Sequence, residues 1–243
     1  MITSPEAEQR LRVLLGLHAG LPGLLSAWSD FSRRSLSVRV KTPVGSAHLG
    51  AEAVKPLNLS FSSDAKFLGF LERGSVSFSL GLALRTPLQL FSFAATAPKV
   101  QRFLLADELE QLKSDSEIER HIRLNIETGW RGLSVLRDHD SASAARSQPL
   151  IGETFSFGLA GESKPWLKAK LFGSGQVDFK TSDFPAVSIR FRDLSTAFAA
   201  VHNQSISAAA VAKEDIQISG RADLADVLSA LLHRVDFLLK PRK

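Results

Sequence analysis

Residues 184–239 constrain the fold more than any other segment, because two hydrophobic periods alternate within them. Val187, Ile189 and Phe191 occupy every second position, which predicts a half-buried strand. Two short alanine-rich segments with helical composition follow. A second strand near 216–218 then leads into a helix rich in leucine and valine. Because both periods occur so close together, the segment predicts an α+β fold.

The residues just before this segment predict the rest of one sheet. Apolar and polar side chains alternate in short runs between 153 and 191, and the runs are separated by turns at 173–175 and 183–185. Tight turns between alternating runs predict an antiparallel meander. Together with the strand near 216–218, we expect an antiparallel or mixed five-stranded sheet covered by helices over 193–212 and 223–239.

The clearest helix pattern of the chain lies upstream of this sheet. Ser116 and Glu119 have the spacing of a capping box. Apolar residues then follow at helical spacing: Ile118, Ile122, Ile126, Trp130 and Leu133. We expect this helix to end near Arg137 and a polar loop to follow over 138–148.

The N-terminal half predicts a similar mixture of helix and strand. A helix is expected over 4–31, with a break or kink near Gly20. Alternating residues predict strands over 36–40 and 57–61, and a short helix is expected over 64–71. This order of elements makes the N-terminal half a candidate for the same fold class.

The two halves can be aligned as an internal repeat. Residues 38–74 and 167–204 both give strand, glycine turn, strand, proline-containing turn, strand and short helix, and the likeness continues into 75–94. In this alignment the first copy lacks an opening strand. One interpretation is two related domains, a degenerate one over 1–113 and a second over 114–243. The other is that any two meander-plus-helix units look alike at this level.

Composition excludes several classes of protein. The chain has 243 residues, no cysteine and a formal charge of +5, so disulfides, thiolate metal sites and a cysteine nucleophile are excluded. No nucleic-acid-binding motif is present, and the spread-out basic residues have two interpretations, solvated surface charge or a peripheral contact with an anionic membrane. The N-terminus has no signal-peptide pattern, and neither Val13–Ser29 nor Val76–Ala97 is apolar enough to span a bilayer. We expect a cytoplasmic protein.

The sequence contains no recognisable catalytic or cofactor motif. Phosphate-binding loops, zinc-protease and serine-hydrolase patterns are absent. None of the histidines has a partner at metal-ligand spacing along a helix: His18, His48, His121, His139, His202 and His233. The acid-flanked histidine of 138–140 is interpreted as part of a solvated turn, and His233 as a core or rim residue. We therefore expect no catalytic metal, no nucleotide and no other cofactor.

The C-terminal half resembles a sterol carrier protein type 2 domain. In that family a helix precedes a meander of strands, and a strand ending in a Gly-Asp-like pair leads to the closing helix. Residues 216–223 stand in that place, although Arg221 and Ala222 separate the glycine from the aspartate. The resemblance is clearest over 150–239 and weaker over 35–105. It implies a small α+β fold that holds one lipid in an apolar cavity.

The resemblance also implies where the ligand lies, between the sheet and the C-terminal helices. Carried over to this chain, the lining residues are Phe157, Leu159, Val187, Ile189, Phe191, Phe198, Val201, Ile206, Val211, Leu228, Leu231 and Leu232. The wide apolar arc of the last helix agrees with this position, since such a helix needs apolar cover on both flanks.

The resemblance favours a non-enzymatic function. We expect the chain to bind a hydrophobic lipid, whether fatty-acyl, phospholipid, sterol-like or isoprenoid, and to transfer or present it. One alternative is an accessory protein that presents an isoprenoid precursor to a quinone-biosynthesis complex. Another is an enzyme whose site is assembled from distant residues such as His121, His202 and Asp193.

Overall fold

The computed structural model describes residues 4–31, 37–50, 56–73, 106–202 and 208–239, with the single positions 96, 99, 100 and 103. The chain divides into two compact units, the first containing residues 1–105 and 238–243 and the second residues 106–237. Helices accompany a three-stranded and a five-stranded sheet, both of them mixed. The chain is therefore α+β, as the two hydrophobic periods predict. The predicted boundary between domains 1–113 and 114–243 lies close to the division after residue 105. The sterol-carrier-like identity of the two domains stays a prediction.

One long helical run opens the first unit. Helix α1 spans Pro5–Leu15, helix α2 spans Leu21–Phe31, and Gly16–Gly20 form a π-helical turn between them. Ser4 caps α1 by accepting a hydrogen bond from the N–H of Ala7 at 3.2 Å. The break or kink expected near Gly20 takes the form of this π-helical turn, across which the run stays helical.

A three-stranded sheet and one helix follow in the first unit. The strands are β1 (Ser37–Lys41), β2 (Ser46–Gly50) and β3 (Leu57–Ser60), and helix α3 spans Asp64–Arg73. Their order is β2-β1-β3, with β2 antiparallel and β3 parallel to β1. Valines and leucines on one face are buried, while Arg39 on the other is exposed. The period-two prediction is confirmed here.

The longest helix of the described residues lies near the start of the second unit, after a 3-10 turn at Leu109–Gln111. Helix α4 spans Asp115–His139. Its cap is Ser114, whose Oγ accepts from the N–H of Glu117, while the Glu117 carboxylate accepts from the N–H of the residue before the cap at 2.8 Å. The capping box predicted at Ser116 and Glu119 is therefore wrong, because the same Ser-x-x-Glu pattern occurs two residues earlier and is the one used.

The loop predicted over 138–148 is also wrong, since helix α5 (Ser141–Ser147) lies within it. Asp140 caps α5 by accepting from the N–H of Ser143 at 3.2 Å and from its Oγ at 2.5 Å. Asp140 is buried and forms an ion pair with Arg234 at 3.2 Å. Its carboxylate is therefore structural, and the interpretation of 138–140 as a solvated turn is incorrect.

The five-stranded sheet forms the centre of the second unit. Its strands are β4 (Thr154–Leu159), β5 (Leu167–Leu171), β6 (Val177–Asp178), β7 (Val187–Phe191) and β8 (Ile216–Gly220), in the order β6-β5-β4-β7-β8. Strand β7 is parallel to β4, whereas β5, β6 and β8 pair antiparallel with their neighbours. The antiparallel meander is thus wrong at one point: after β6 the chain crosses back and places β7 beside β4.

Two short helices precede the last strand, and one long helix follows it. Helix α6 spans Leu194–Val201, α7 spans Ala208–Ala212 and α8 spans Ala222–Leu239. Asp193 caps α6, its Oδ1 accepting from the N–H of Thr196 at 2.7 Å. That backbone hydrogen bond, assisted by the neighbouring Arg192, lowers the pKa of Asp193 below its ordinary value. The predicted order of strand, short helices, strand and long helix is confirmed for the described residues.

The two sheets share a three-strand arrangement, but not in the alignment predicted from sequence. That alignment matched β1 with β5 and left the first copy without an opening strand. In the structure β2-β1-β3 has the same order and directions as β5-β4-β7, so β1 corresponds to β4. The opening strand is therefore present. The matches of β3 with β7 and of α3 with α6 keep their topological positions, and the proposed continuation over 75–94 lies outside the described residues.

Candidate functional site

One face of the five-stranded sheet is apolar from edge to edge. Residues paired directly across neighbouring strands point to the same side of a sheet. The pairings therefore place one set of side chains together: Phe155, Phe157, Leu159, Leu167, Ala169, Leu171, Val187, Ile189, Phe191, Ile216 and Ile218. We call this the apolar face. The opposite, polar face carries serine, threonine, lysine and arginine.

Helix α4 lies on the apolar face. The ring of Trp130 is 5.2 Å from that of Phe155, and both side chains are fully buried. The indole Nε1–H of Trp130 has no hydrogen-bond partner among the described residues. A buried donor without an acceptor is unfavourable, so a ligand oxygen reaching this position would satisfy it.

Helix α8 packs against α4 through two glycines. A Cβ at Gly129 would lie 2.8 Å from Leu232 Cδ2, and one at Gly132 would overlap the side chain of Val235. The two helices can approach closely only because these positions lack side chains. The leucines on the inner side of α8 are consequently buried, among them Leu228 and Leu231.

The predicted lining residues fall into three groups. Five of them lie together on the apolar face, namely Phe157, Leu159, Val187, Ile189 and Phe191. Helix α6 carries Phe198 and Val201, α7 carries Val211, and α8 carries Leu228, Leu231 and Leu232. Ile206 lies outside the described residues. Their role in binding stays a prediction, but most of them occupy one side of the sheet and the helices after it.

Cover over the apolar face is uneven. At the β4–β5 side Phe155, Ala169 and Leu171 are completely buried. At the β7–β8 side Ile189 is half-buried and its cross-strand partner Ile218 is 36% exposed. Residue Val211 of α7, the helix that contacts β8, is 44% exposed. We call Ile189, Val211 and Ile218 the open edge.

A pair of histidines joins α4 to the end of α6. The Nε2 atoms of His121 and His202 are 2.9 Å apart, the ring planes differ by 12° and the ring centroids are 5.2 Å apart. That centroid distance is the Nε2–Nε2 contact plus the distance from each nitrogen to its own ring centre, so the rings meet edge to edge. This is the geometry of an N–H···N hydrogen bond.

The neighbouring amide assigns the proton in this histidine pair. Asn125 Nδ2 donates to the backbone carbonyl of His121 at 2.9 Å, which fixes which end of the amide is the NH₂ group. The same Nδ2 is 3.0 Å from His121 Nε2, so that ring nitrogen accepts. The shared proton therefore resides on Nε2 of His202. The two facing nitrogens are occupied by each other.

His121, His202 and Asp193 are the residues predicted for an alternative enzyme site. The structure brings the two histidines together. The ring centroid of Phe198 lies 5.4 Å from that of His121 and 4.4 Å from that of His202. Asp193 is instead engaged at the start of α6 by Thr196 and Arg192. The sequence separation of the histidines, with no periodic relation between their helices, hid this contact.

Among the residues that the structure describes, no third metal ligand accompanies the histidine pair. Within the described ranges, no group of three or more histidine, cysteine, aspartate or glutamate side chains could hold a metal ion. His139 and His233 are both exposed. The two facing nitrogens are also only 2.9 Å apart, which leaves too little room for a metal between them, since each Zn–N bond is about 2.0–2.1 Å long. The arrangement supports a proton-sharing contact between two helices.

No family model and no curated protein matches this chain. The sterol-carrier resemblance therefore rests on the chain's own pattern of strands, helices and the Ser219-Gly220 ending of β8. Among the helices of the described residues, none has the length and apolar character needed to cross a membrane.

Proposed function

We propose that the second unit binds a hydrophobic lipid against the apolar face and transfers or presents it without making or breaking a bond. The observation that carries this proposal is the open edge, where three apolar side chains on adjoining elements keep contact with solvent. Burying apolar surface contributes about 25 cal/mol per Å². An acyl or isoprenoid chain laid along the open edge would therefore gain affinity without any specific polar contact.

Three further observations support the proposal. A helix precedes the sheet, and a strand ending in Gly220 leads to the closing helix, which is the element order that the sterol-carrier resemblance implies. The indole N–H of Trp130, which has no acceptor among the described residues, gives the buried side of the same face one donor for an oxygen-bearing ligand. The histidine pair favours a non-enzymatic role, because its facing nitrogens bond to each other and to Asn125. A cytoplasmic carrier of this kind would have to meet a membrane.

Two neighbouring substitutions on β8 test the proposal. Ile218→Glu places a carboxylate on the apolar face of the sheet. Gln217→Glu, one residue earlier, places the same charge on the polar face. Both side chains are exposed, so neither change should unfold the protein. Lipids that co-purify with each variant would be extracted and identified by mass spectrometry.

We expect the wild type and Gln217→Glu to retain the same lipid and Ile218→Glu to lose most of it. A charged group at the open edge would have to be desolvated by the bound chain, which is strongly unfavourable. Equal lipid content in the two variants, or no lipid in the native protein, would contradict the proposal.

A further inference from the structure

The loop between β6 and β7 carries an exposed phenylalanine. Phe184 is 93% exposed, although aromatic side chains ordinarily contribute to cores and interfaces. A second aromatic ring, Phe172 at the end of β5, is 38% exposed. Lys170 contacts Phe172 and the residue before Phe184. Its Nζ is 5.5 Å from the Phe172 ring centre and 2.6 Å from Oδ2 of Asp183. We call Phe172, Phe184, Lys168 and Lys170 the aromatic patch.

The loop that presents Phe184 is held in place from the polar face of the sheet. Lys168 Nζ donates to the backbone carbonyl of Asp183 at 2.9 Å, and Lys170 Nζ binds the Asp183 carboxylate. The Asp183 N–H donates to Thr181 Oγ1 at 3.2 Å, and the N–H of Lys180 donates to Asp178 Oδ1 at 2.7 Å. The hydrogen bond from Lys170 lowers the pKa of Asp183 below its ordinary value, so this anchor persists well into the acidic range.

The turn that carries Phe172 is anchored in the same way. Arg137 donates from both terminal nitrogens, to the carbonyl of Phe172 at 2.6 Å and to that of Gly173 at 2.5 Å. Two loops, each fixed by a basic side chain, therefore present aromatic rings to solvent on one side of the unit. Such pre-organisation lowers the entropy lost when a side chain is immobilised by a partner.

The charges around these rings give a small positive balance. The cations are Arg137, Lys168, Lys170 and Lys180, and the carboxylates are Asp138, Asp178 and Asp183. The net attraction to an anionic surface is therefore modest, and insertion of the aromatic rings must supply most of the affinity. A side chain that protrudes almost completely fits a deformable partner such as a bilayer interface better than a flat protein surface.

We propose that the aromatic patch is the surface through which the protein docks on an anionic phospholipid bilayer, with Phe184 as the inserted residue. The proposal rests on the proposed carrier function, since it names the contact that a lipid carrier makes with its membrane. Lys168 and Lys170 of the patch lie on the polar face of the sheet, whereas Ile189 and Ile218 of the open edge lie on the apolar face, so docking leaves the candidate ligand site uncovered.

Vesicle flotation with the full chain tests this proposal. The vesicles are phosphatidylcholine alone or phosphatidylcholine with phosphatidylglycerol, and the variants are Phe184→Ser and Phe184→Trp. Phe237→Ser is the matched control, because Phe237 is also exposed, at 65%, but lies on α8. The lipid that co-purifies with each protein is measured on the same samples.

We expect the native chain to bind the anionic vesicles several-fold better than the neutral ones, with the preference falling as salt is added. Phe184→Ser should weaken binding by about tenfold or more, the range expected for losing one buried phenylalanine side chain. Phe184→Trp should restore binding and gain a blue-shifted emission on vesicles, while Phe237→Ser should bind like the native chain.

Equal vesicle binding by the native chain and Phe184→Ser would overturn the proposal, and so would a native chain that binds no vesicle. The second result would direct attention to a protein pocket as the partner of Phe184. Retained co-purified lipid together with absent vesicle binding would reject the docking surface alone. Vesicle binding that depends on Phe184 in a protein without bound lipid would reject the carrier function alone.

Discussion

The two units share a three-strand core but differ in how they complete it. In the first unit the central strand β1 keeps one wet face, where Arg39 and Lys41 are exposed. In the second unit the central strand β4 is buried on both faces over nearly its whole length. The same topology thus gives a one-sided sheet in one unit and a two-sided sheet in the other. Only the two-sided sheet, among the described residues, carries an apolar face with an open edge.

Local contacts on the polar face explain the difference. Ser156 of β4 donates to Ser188 of β7 at 3.0 Å, which allows both hydroxyls to be covered. A Cβ at Gly158 would lie 2.5 Å from Arg190 Nη1 and 3.3 Å from the backbone of Pro165, so a side chain there would displace the Arg190 guanidinium and crowd Pro165. Strand β4 therefore carries small polar residues where β1 carries long charged ones. Small side chains on the polar face of the central strand therefore allow loops to cover that face, whereas long charged side chains keep it exposed.

The largest expected effect comes from the central aromatic residue of each unit. Trp130→Ala in the second unit and Phe67→Ala in the first should each lower the free energy of unfolding by about 3–5 kcal/mol, since both side chains are fully buried. Hydrogen exchange would locate the loss. We expect each variant to lose protection mainly in its own unit. Equal loss across both units for either variant would show that they unfold as one and would weaken the comparison.

A smaller effect is expected at the end of β8, a strand without a counterpart among the described residues of the first unit. Gly220 has φ of +90°, and a Cβ there would overlap the carbonyl oxygen of Ala186. Gly220→Ala should therefore lower the free energy of unfolding by about 1–3 kcal/mol. Chemical denaturation would measure it.

Gly152→Ala is the control for this prediction. Its φ is +81°, yet a Cβ at Gly152 would have open space around it. This variant should show only the cost of the left-handed backbone. If both glycine variants lose the same stability, the close contact with Ala186 contributes nothing and β8 is attached less firmly than the structure indicates.

The smallest expected effects concern two equivalent helix caps, at the starts of α6 and α3. Asp193 accepts from the Thr196 N–H at 2.7 Å, whereas Ser63 accepts from the Lys66 N–H at 3.4 Å. Asp193→Ala should lower the free energy of unfolding by about 0.5–2 kcal/mol, and Ser63→Ala by less. Thermal unfolding of the two variants would compare them.

The effect of Asp193 should also depend on pH. Its folded-state pKa is lowered, so its contribution is complete above the unfolded value of about 3.9 and is lost as the pH falls through the folded pKa. The difference between the wild type and Asp193→Ala should therefore shrink in strong acid to what the neutral carboxyl group still contributes as an acceptor, while that of Ser63→Ala should not change. An Asp193 effect that grows toward low pH would contradict the assigned cap.

Periodicity predicted the elements better than their connections. The alternation at Val187, Ile189 and Phe191 and the helical spacing from Ile118 to Leu133 were sufficient for β7 and α4. Such patterns can be recognised in a short stretch of sequence, because a helix or strand that buries one face carries apolar residues at regular spacing. The parallel pairing of β7 with β4 was missed because a turn at 183–185 is equally compatible with a hairpin or a crossover. Helix α5 was missed because serine is a poor helix former unless a cap such as Asp140 is provided.

The candidate site divides along the same line. The residues of the apolar face follow from strand alternation, and five of them were predicted as one group. The histidine pair could not be placed, since His121 and His202 are separated by 81 positions and no periodic pattern relates them. The open edge and the exposure of Phe184 depend on which loops cover which side chains, and no local pattern encodes that.

The π-helical turn of Gly16–Gly20 also has a bearing on the ancestry of this chain. A π-turn accommodates one residue more than an α-helix of the same length. Each residue advances an α-helix by about 100°, so one extra residue in a regular helix would rotate all that follows, whereas the wider π-turn absorbs that residue and keeps α2 in register with α1. Deleting one residue within the turn should therefore restore a regular helix and leave Leu21 and its neighbours facing the core. Related chains that lack the turn should accordingly differ by one residue in length at this point, and their apolar stripe should run straight through it.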